Sequence, residues 1–154
     1  MTAIYANWLA NATVVGATVI AVSLAVLVHY EGLILLSNGI RRVGGRQRTK
    51  ILYAIYSVLA LHVIEIWLFG IVLWLLLLWP ACGYIAMGGA HDTLGLLDAI
   101  YFSAVTYTTV GFGDVVPVGP IRFLAGTEAL AGFVIIGWSA SFTYLEMERF
   151  WRRP

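Results

Sequence analysis

Thr108-Thr109-Val110-Gly111-Phe112-Gly113-Asp114 is a polar, glycine-bearing stretch set between two runs that are almost wholly apolar. Glycines at every second position let a chain enter backbone regions closed to most residues, so that successive carbonyls turn toward one axis. A ring of such carbonyls can replace the hydration shell of a cation without a fixed charge that would hold the ion too tightly. Five His and Glu residues inside the apolar runs form a second group: His29, Glu31, His62, Glu65 and Glu128. Ionisable side chains at membrane depth are costly and are usually paired. His62 and Glu65 are three apart and share a helix face. His29 precedes Arg41, and His62 follows Lys50, by the same twelve residues, so both stand on the order of 18 Å along their helices from the segment between them. His29, Glu31, His62 and Glu65 are therefore expected to meet across one seam. Two roles are open there: a hydrogen bond that docks two helices, or a proton or metal sensor built from two imidazoles and a carboxylate.

The elements that must position these groups follow from composition. The chain has 154 residues, 61% hydrophobic and only 11% charged, too apolar for a soluble domain. An all-α membrane protein is expected, and a net charge of +1 with no basic stripe gives no reason to expect nucleic acid as a partner. The first apolar run, about Thr13 to Leu36, is longer than a signal-peptide core and lacks a basic start, so it reads as a retained helix. Ser37 to Lys50 reads as a polar hairpin punctuated by Asn38-Gly39 and Gly44-Gly45. The second run extends from Ile51 to Trp79, where Pro80 stops it. Asp92 or Thr93 is expected to cap a short helix from about Leu94 to Tyr107, too short to span. The third run covers about Ile121 to Leu145. Of nine Lys and Arg residues, five fall in the hairpin, three in the carboxyl tail, and Arg122 alone elsewhere. Basic loops stay in the cytoplasm, which places the amino terminus outside and the carboxyl terminus inside. Cys82, the single cysteine, has no partner within the chain and reads as a free thiol.

Thr106 to Asp114, taken with Asp98-Ala99-Ile100-Tyr101-Phe102-Ser103 before it and Pro117 after it, resembles the pore loop of potassium channels, and the likeness extends over about Ile51 to Trp151. The resemblance implies a pore domain of outer helix, pore helix, selectivity filter and inner helix over residues 51–154. Residues 1–50 add an amino-terminal membrane helix and a basic hairpin. It implies that Thr109, Val110, Gly111, Phe112 and Gly113 bind the permeant ion, chiefly through backbone carbonyls and the Thr109 hydroxyl, with Val110 and Phe112 packed outward. Thr108, Asp114 and Glu128 would support the filter. Gly132 and Gly137 are candidate hinges of the inner helix, with close helix packing as the competing role. One strand cannot surround an ion, so four copies must close the ring. Potassium is then the permeant ligand, no cofactor is needed, and the expected setting is the plasma or inner membrane.

Two departures from the family pattern bear on filter stability. Phe112 stands where tyrosine is commoner, and Val105 stands where some members bury a carboxylate that could brace Asp114. No helix carries Arg or Lys at every third position, so no voltage sensor of the known type is expected. Gly111-Phe112-Gly113-Asp114 also fits the short pattern of intramembrane aspartyl proteases, but no second aspartate lies inside a preceding apolar run, and no enzyme is expected. A non-conducting membrane subunit and a cation channel without selectivity are the remaining alternatives.

Overall fold

The computed structural model describes residues 7–42, 47–87 and 95–151. Helix α1 spans Trp8–Arg42, α2 Gln47–Leu77, α3 Leu96–Tyr107 and α4 Arg122–Trp151. Three of them, α1, α2 and α4, are long and apolar enough to cross a membrane, whereas α3 is not. All four are apolar on every side, so the face turned to the protein is set by packing. In α1 it is one stripe, Ala10, Val14, Thr18, Ala21, Ala25, His29, Leu33, Leu36 and Ile40. The three and four residue steps keep these side chains on one face, and its alanines let α2 approach closely. Ala54, Val58, Leu61, Glu65, Phe69, Leu73 and Leu76 form the answering stripe of α2. Most of the other apolar side chains, such as Leu27, Leu35, Leu59 and Val63, are exposed, as suits a helix facing lipid.

Helix α1 continues through Asn38-Gly39, where the sequence suggests a turn. Arg41 reaches back to the Ser37 carbonyl and hydroxyl at 3.4 and 3.3 Å, and basic residues suit the negative end of a helix. A Cβ at Gly39 would stand 2.6 Å from the Tyr53 hydroxyl, so this glycine serves a close approach. Gly44-Gly45 lies outside the described residues. Likewise α4 runs past Leu145, supported by Arg149 on Glu146 at 2.7 Å.

One feature is absent from the sequence expectation. After α2 a 3-10 turn at Pro80–Cys82 leads into β1, Tyr84–Met87, which pairs antiparallel with β2, Val115–Val118. Tyr84 faces Val118 and Met87 faces Val115. The Ile121 amide donates to the Cys82 carbonyl at 3.0 Å, and Gly83, at φ 123°, lies so close to the Val118 carbonyl that any Cβ would overlap it. The chain leaving Asp114 is thereby clamped to the end of α2. Cys82 is fully buried and burial pushes its thiol pKa up, so its placement is that of a small core residue with little thiolate character.

Helix α3 enters against α2 at Gly70, where a Cβ would sit 2.8 Å from the Ile100 Cα. Gly70→Ala is expected to force backbone apart and cost about 1–3 kcal/mol. Gly16→Ala, with nothing within 4 Å, should leave stability unchanged or raise it. Thermal unfolding of both variants in detergent checks the contrast, and equal midpoints would contradict this packing of α3.

Candidate functional site

The short helix α3 is capped from within. The Asp98 carboxylate accepts the Gly95 amide at 2.9 Å, an arrangement that also suits the helix dipole. Asp92 and Thr93, the expected caps, lie outside the described residues. The other end of α3 stops at Tyr107, and the next residues reverse into the loop. Amides turn back to the helix: Thr109 to the Thr106 carbonyl at 2.9 Å, and Val110 and Gly111 to that of Val105 at 3.1 and 3.2 Å.

Beyond these bonds, Thr109, Gly111 and Gly113 take φ of 59°, 55° and 80°. Val110 and Phe112 keep negative φ, since Thr109 is the one described residue other than glycine in the left-handed region. Left-handed and ordinary conformations thus alternate over five residues. The cost of roughly 1–2 kcal/mol for an L-residue in that region falls on Thr109 alone. Among the described residues, no group donates to the carbonyls of Thr109, Val110, Gly111 or Phe112. The segment from Thr108 to Asp114 is exposed in the single chain, and Val110 and Phe112 project from it, 55% and 70% exposed. Thr108 returns its hydroxyl to the Ala104 carbonyl at 2.7 Å.

Three hydroxyls of α3 each donate to a carboxylate from a different part of the chain. Tyr101 bonds to Asp114 at 2.7 Å, a brace from a residue that belongs to the sequence motif before the loop. Ser103 bonds to Glu128 on α4, and also to the Ile66 carbonyl of α2 at 2.9 Å. Glu128 is fully buried beneath α3. Tyr107 bonds to Glu65 at 2.5 Å. Gly132 lies directly under the end of α3, where any Cβ would overlap the Tyr107 carbonyl. Its placement is that of a packing glycine. Gly137 is exposed, with nothing within 4 Å of an added Cβ.

Of the four residues expected in the seam, the structure brings together three. His29 Nδ1 is 2.8 Å from Glu65 Oε1, and His62 Nδ1 is 3.1 Å from Oε2. The two imidazoles stack with centroids 5.6 Å apart. Glu31 does not join them; it is exposed, two residues along from His29 and therefore on another side of α1. Sequence reasoning missed Tyr107, whose hydroxyl is also 3.0 Å from His62 Nδ1, and Ser139, whose hydroxyl is 3.3 Å from His29 Nε2. Helices α1, α2, α3 and α4 all contribute to this one cluster.

The protein-family model described as "Ion channel" matches residues 61–147, more than half of the chain. Two-pore potassium channel 1 of Arabidopsis thaliana is 48% identical over 48 residues, which are 30% of this chain and 13% of that protein. Protein LctB of Bacillus caldotenax is 47% identical over 47 residues, 30% of this chain and 35% of its own length. Inward rectifier potassium channel Kirbac3.1 of Paramagnetospirillum magnetotacticum is 33% identical over 73 residues, 45% of this chain and 25% of that protein. The chain therefore spans about a third or less of each of these relatives. No solved structure matches it at a significant level.

The buried carboxylate of Glu65 accepts from three side chains, so its loss strands three polar groups. Glu65→Leu is expected to destabilise the protein by about 3–5 kcal/mol, read as a lower thermal midpoint. Glu65→Gln, which keeps one acceptor oxygen, should lose less. A Glu65→Leu protein as stable as the parent would show that the cluster contributes nothing to holding the helices.

Proposed function

Because this chain belongs to the ion channel family whose model matches residues 61–147, we propose that it conducts potassium passively through a pore closed by four identical copies. That family is not enzymatic. The observation that carries the proposal is the alternation at Thr109, Gly111 and Gly113, together with four consecutive carbonyls that no described group satisfies. Non-helical backbone beside membrane helices is tolerated where it lines a water-filled path. Around a shared axis, the carbonyls of Thr109, Val110, Gly111 and Phe112 would replace the water of a dehydrated cation. Two of the relatives that match are named as potassium channels, which favours potassium as that cation.

In this reading residues 51–154 form the pore and residues 1–50 the added helix and basic segment. Gly113 gives the filter its last left-handed turn, and Thr108, Asp114 and Glu128 support it. Val110 and Phe112, exposed in one chain, would pack outward against neighbouring copies. The distribution of Lys and Arg favours a cytoplasmic carboxyl terminus and an external amino terminus, in a plasma or inner membrane. Gly137 is the hinge candidate left unconstrained by packing, whereas bending at Gly132 would disturb its contact with Tyr107.

Gly113 offers a clean test, because an added Cβ meets nothing within 4 Å and only the φ of 80° opposes it. Gly113→Ala is expected to abolish potassium selectivity or conduction in liposomes while the protein still assembles as four chains. A variant that rejects sodium as the parent does would overturn the filter assignment. Thr109→Cys replaces the innermost hydroxyl and is expected to weaken block by barium, an ion close to potassium in size that oxygen sites hold more tightly. Unchanged block would remove Thr109 from the ligands.

A further inference from the structure

The side-chain cluster between the added helix and the pore has the composition of a metal site. His29, His62 and Glu65 each turn one ligand atom inward, and these atoms lie within 4.8 Å of one another. Two of the pairs are already at 2.8 and 3.1 Å. Zinc-class ions bind such nitrogens and oxygens at roughly 2.0–2.2 Å in a tetrahedron. Ligand atoms around such an ion stand roughly 3.3 Å apart, so small side-chain shifts would complete the geometry. The Tyr107 hydroxyl, 3.0 Å from His62 Nδ1 and 2.5 Å from Glu65 Oε2, stands where a fourth ligand would be.

Charge points the same way. A carboxylate at this depth is costly unless it is paired, and a bound cation would pair with Glu65. Ligand orientation is supported from outside the cluster. Ser139 holds His29 Nε2 at 3.3 Å, and the Trp138 ring lies 5.2 Å from the His29 ring. A hydrogen bond on the far nitrogen is the usual way a metal-ligating histidine is fixed. There is also a way in. A groove of about 430 Å³ between α2 and α4 is lined by His62, Ser139 and Thr143, with Ile55 and Met147 toward the end of the molecule where α1 and α2 are joined. His62 is the member of the cluster that reaches it, its side chain 14% exposed while His29 and Glu65 are fully buried.

We propose that His29, His62 and Glu65 bind a divalent transition-metal ion of the zinc class, with the Tyr107 hydroxyl at the fourth position, and that this ion ties α1 to the base of the loop. Tyr107 is the residue before Thr108, so an ion held there fixes the end of α3 relative to α1 and α2. The site itself stands on geometry; its effect on ion flow rests on the pore proposed above.

The test is a titration of the full chain, purified in detergent without a histidine tag, with Co2+ as a visible substitute for spectroscopically silent zinc. Tetrahedral Co2+ absorption that saturates at one ion per chain and is displaced by Zn2+ is expected. His29→Gln and His62→Gln should each weaken binding by about 10-fold or more, while Glu31→Gln, outside the cluster, should bind as the parent does. Absence of the tetrahedral spectrum in the parent overturns the site, whether or not the variants fold. Binding by His29→Gln equal to that of the parent overturns it also. In liposomes, Zn2+ should change potassium flux through the parent and leave that through His29→Gln unaltered. Zn2+ that binds without changing the parent's flux overturns the tie to the loop. A parent that carries no potassium flux fails the pore instead, and leaves the titration to decide the metal site.

Discussion

Backbone carbonyls that accept nothing are tolerable within a membrane only beside water or a bound cation, and that constraint bears on the carbonyls of Thr109 to Phe112. The amides of Thr109, Val110 and Gly111 are drawn back onto α3, which leaves the carbonyls free to turn the other way. Two glycines make the reversal at φ of 55° and 80° without a steric cost, and Thr109 alone bears it at 59°. A strand in this conformation has no hydrogen-bonded ladder of its own, so its shape must be imposed from outside.

Helix α3 imposes it through three hydroxyls. Tyr101, Ser103 and Tyr107 hold Asp114, Glu128 and Glu65 respectively, which fixes the helix to the loop's exit, to α4 and to α2. Hydroxyl-to-carboxylate bonds are charge-assisted when the acid is ionised, and their directionality fixes rotation and height in a way that apolar contact cannot. Gly70 and Gly132 let the helix come close enough for these bonds to form. The β1 and β2 pair then closes the far side, holding Val115–Val118 against the chain that leaves α2. The added helix α1 joins through His29, which reaches Glu65 and Ser139 together. A disturbance of α1 is therefore two hydrogen bonds away from Tyr107.

Much of this was legible in the sequence because polar residues in an apolar chain are informative. The loop, the short helix before it and the level meeting of His29 with His62 and Glu65 could all be read from residue types and spacing. What could not be read has a physical reason in each case. The helices are apolar all round, so periodicity does not mark the buried face, and Glu31 looked as eligible for the cluster as His29. Where the hydroxyls of Tyr101, Tyr107 and Ser139 point is set by how the helices pack, which residue type and spacing do not give. Asn38-Gly39 reads as a turn, yet Gly39 lies within the helix, facing the Tyr53 hydroxyl. Tyr84–Met87 and Val115–Val118 are four residues each, too short for an alternating pattern to distinguish strand from loop. Val105 offers Asp114 no brace, and the one Asp114 receives comes from Tyr101, four residues earlier and one helical turn away.

The proposed path for dehydrated potassium runs along the carbonyls of Thr109 to Phe112. The most direct measurement is the reversal potential of the purified parent protein in a planar bilayer with potassium on one side and sodium on the other. Conduction along that path requires a potential that follows the potassium gradient and a current blocked by barium. A potential near zero, with sodium carrying current as readily as potassium, would contradict it.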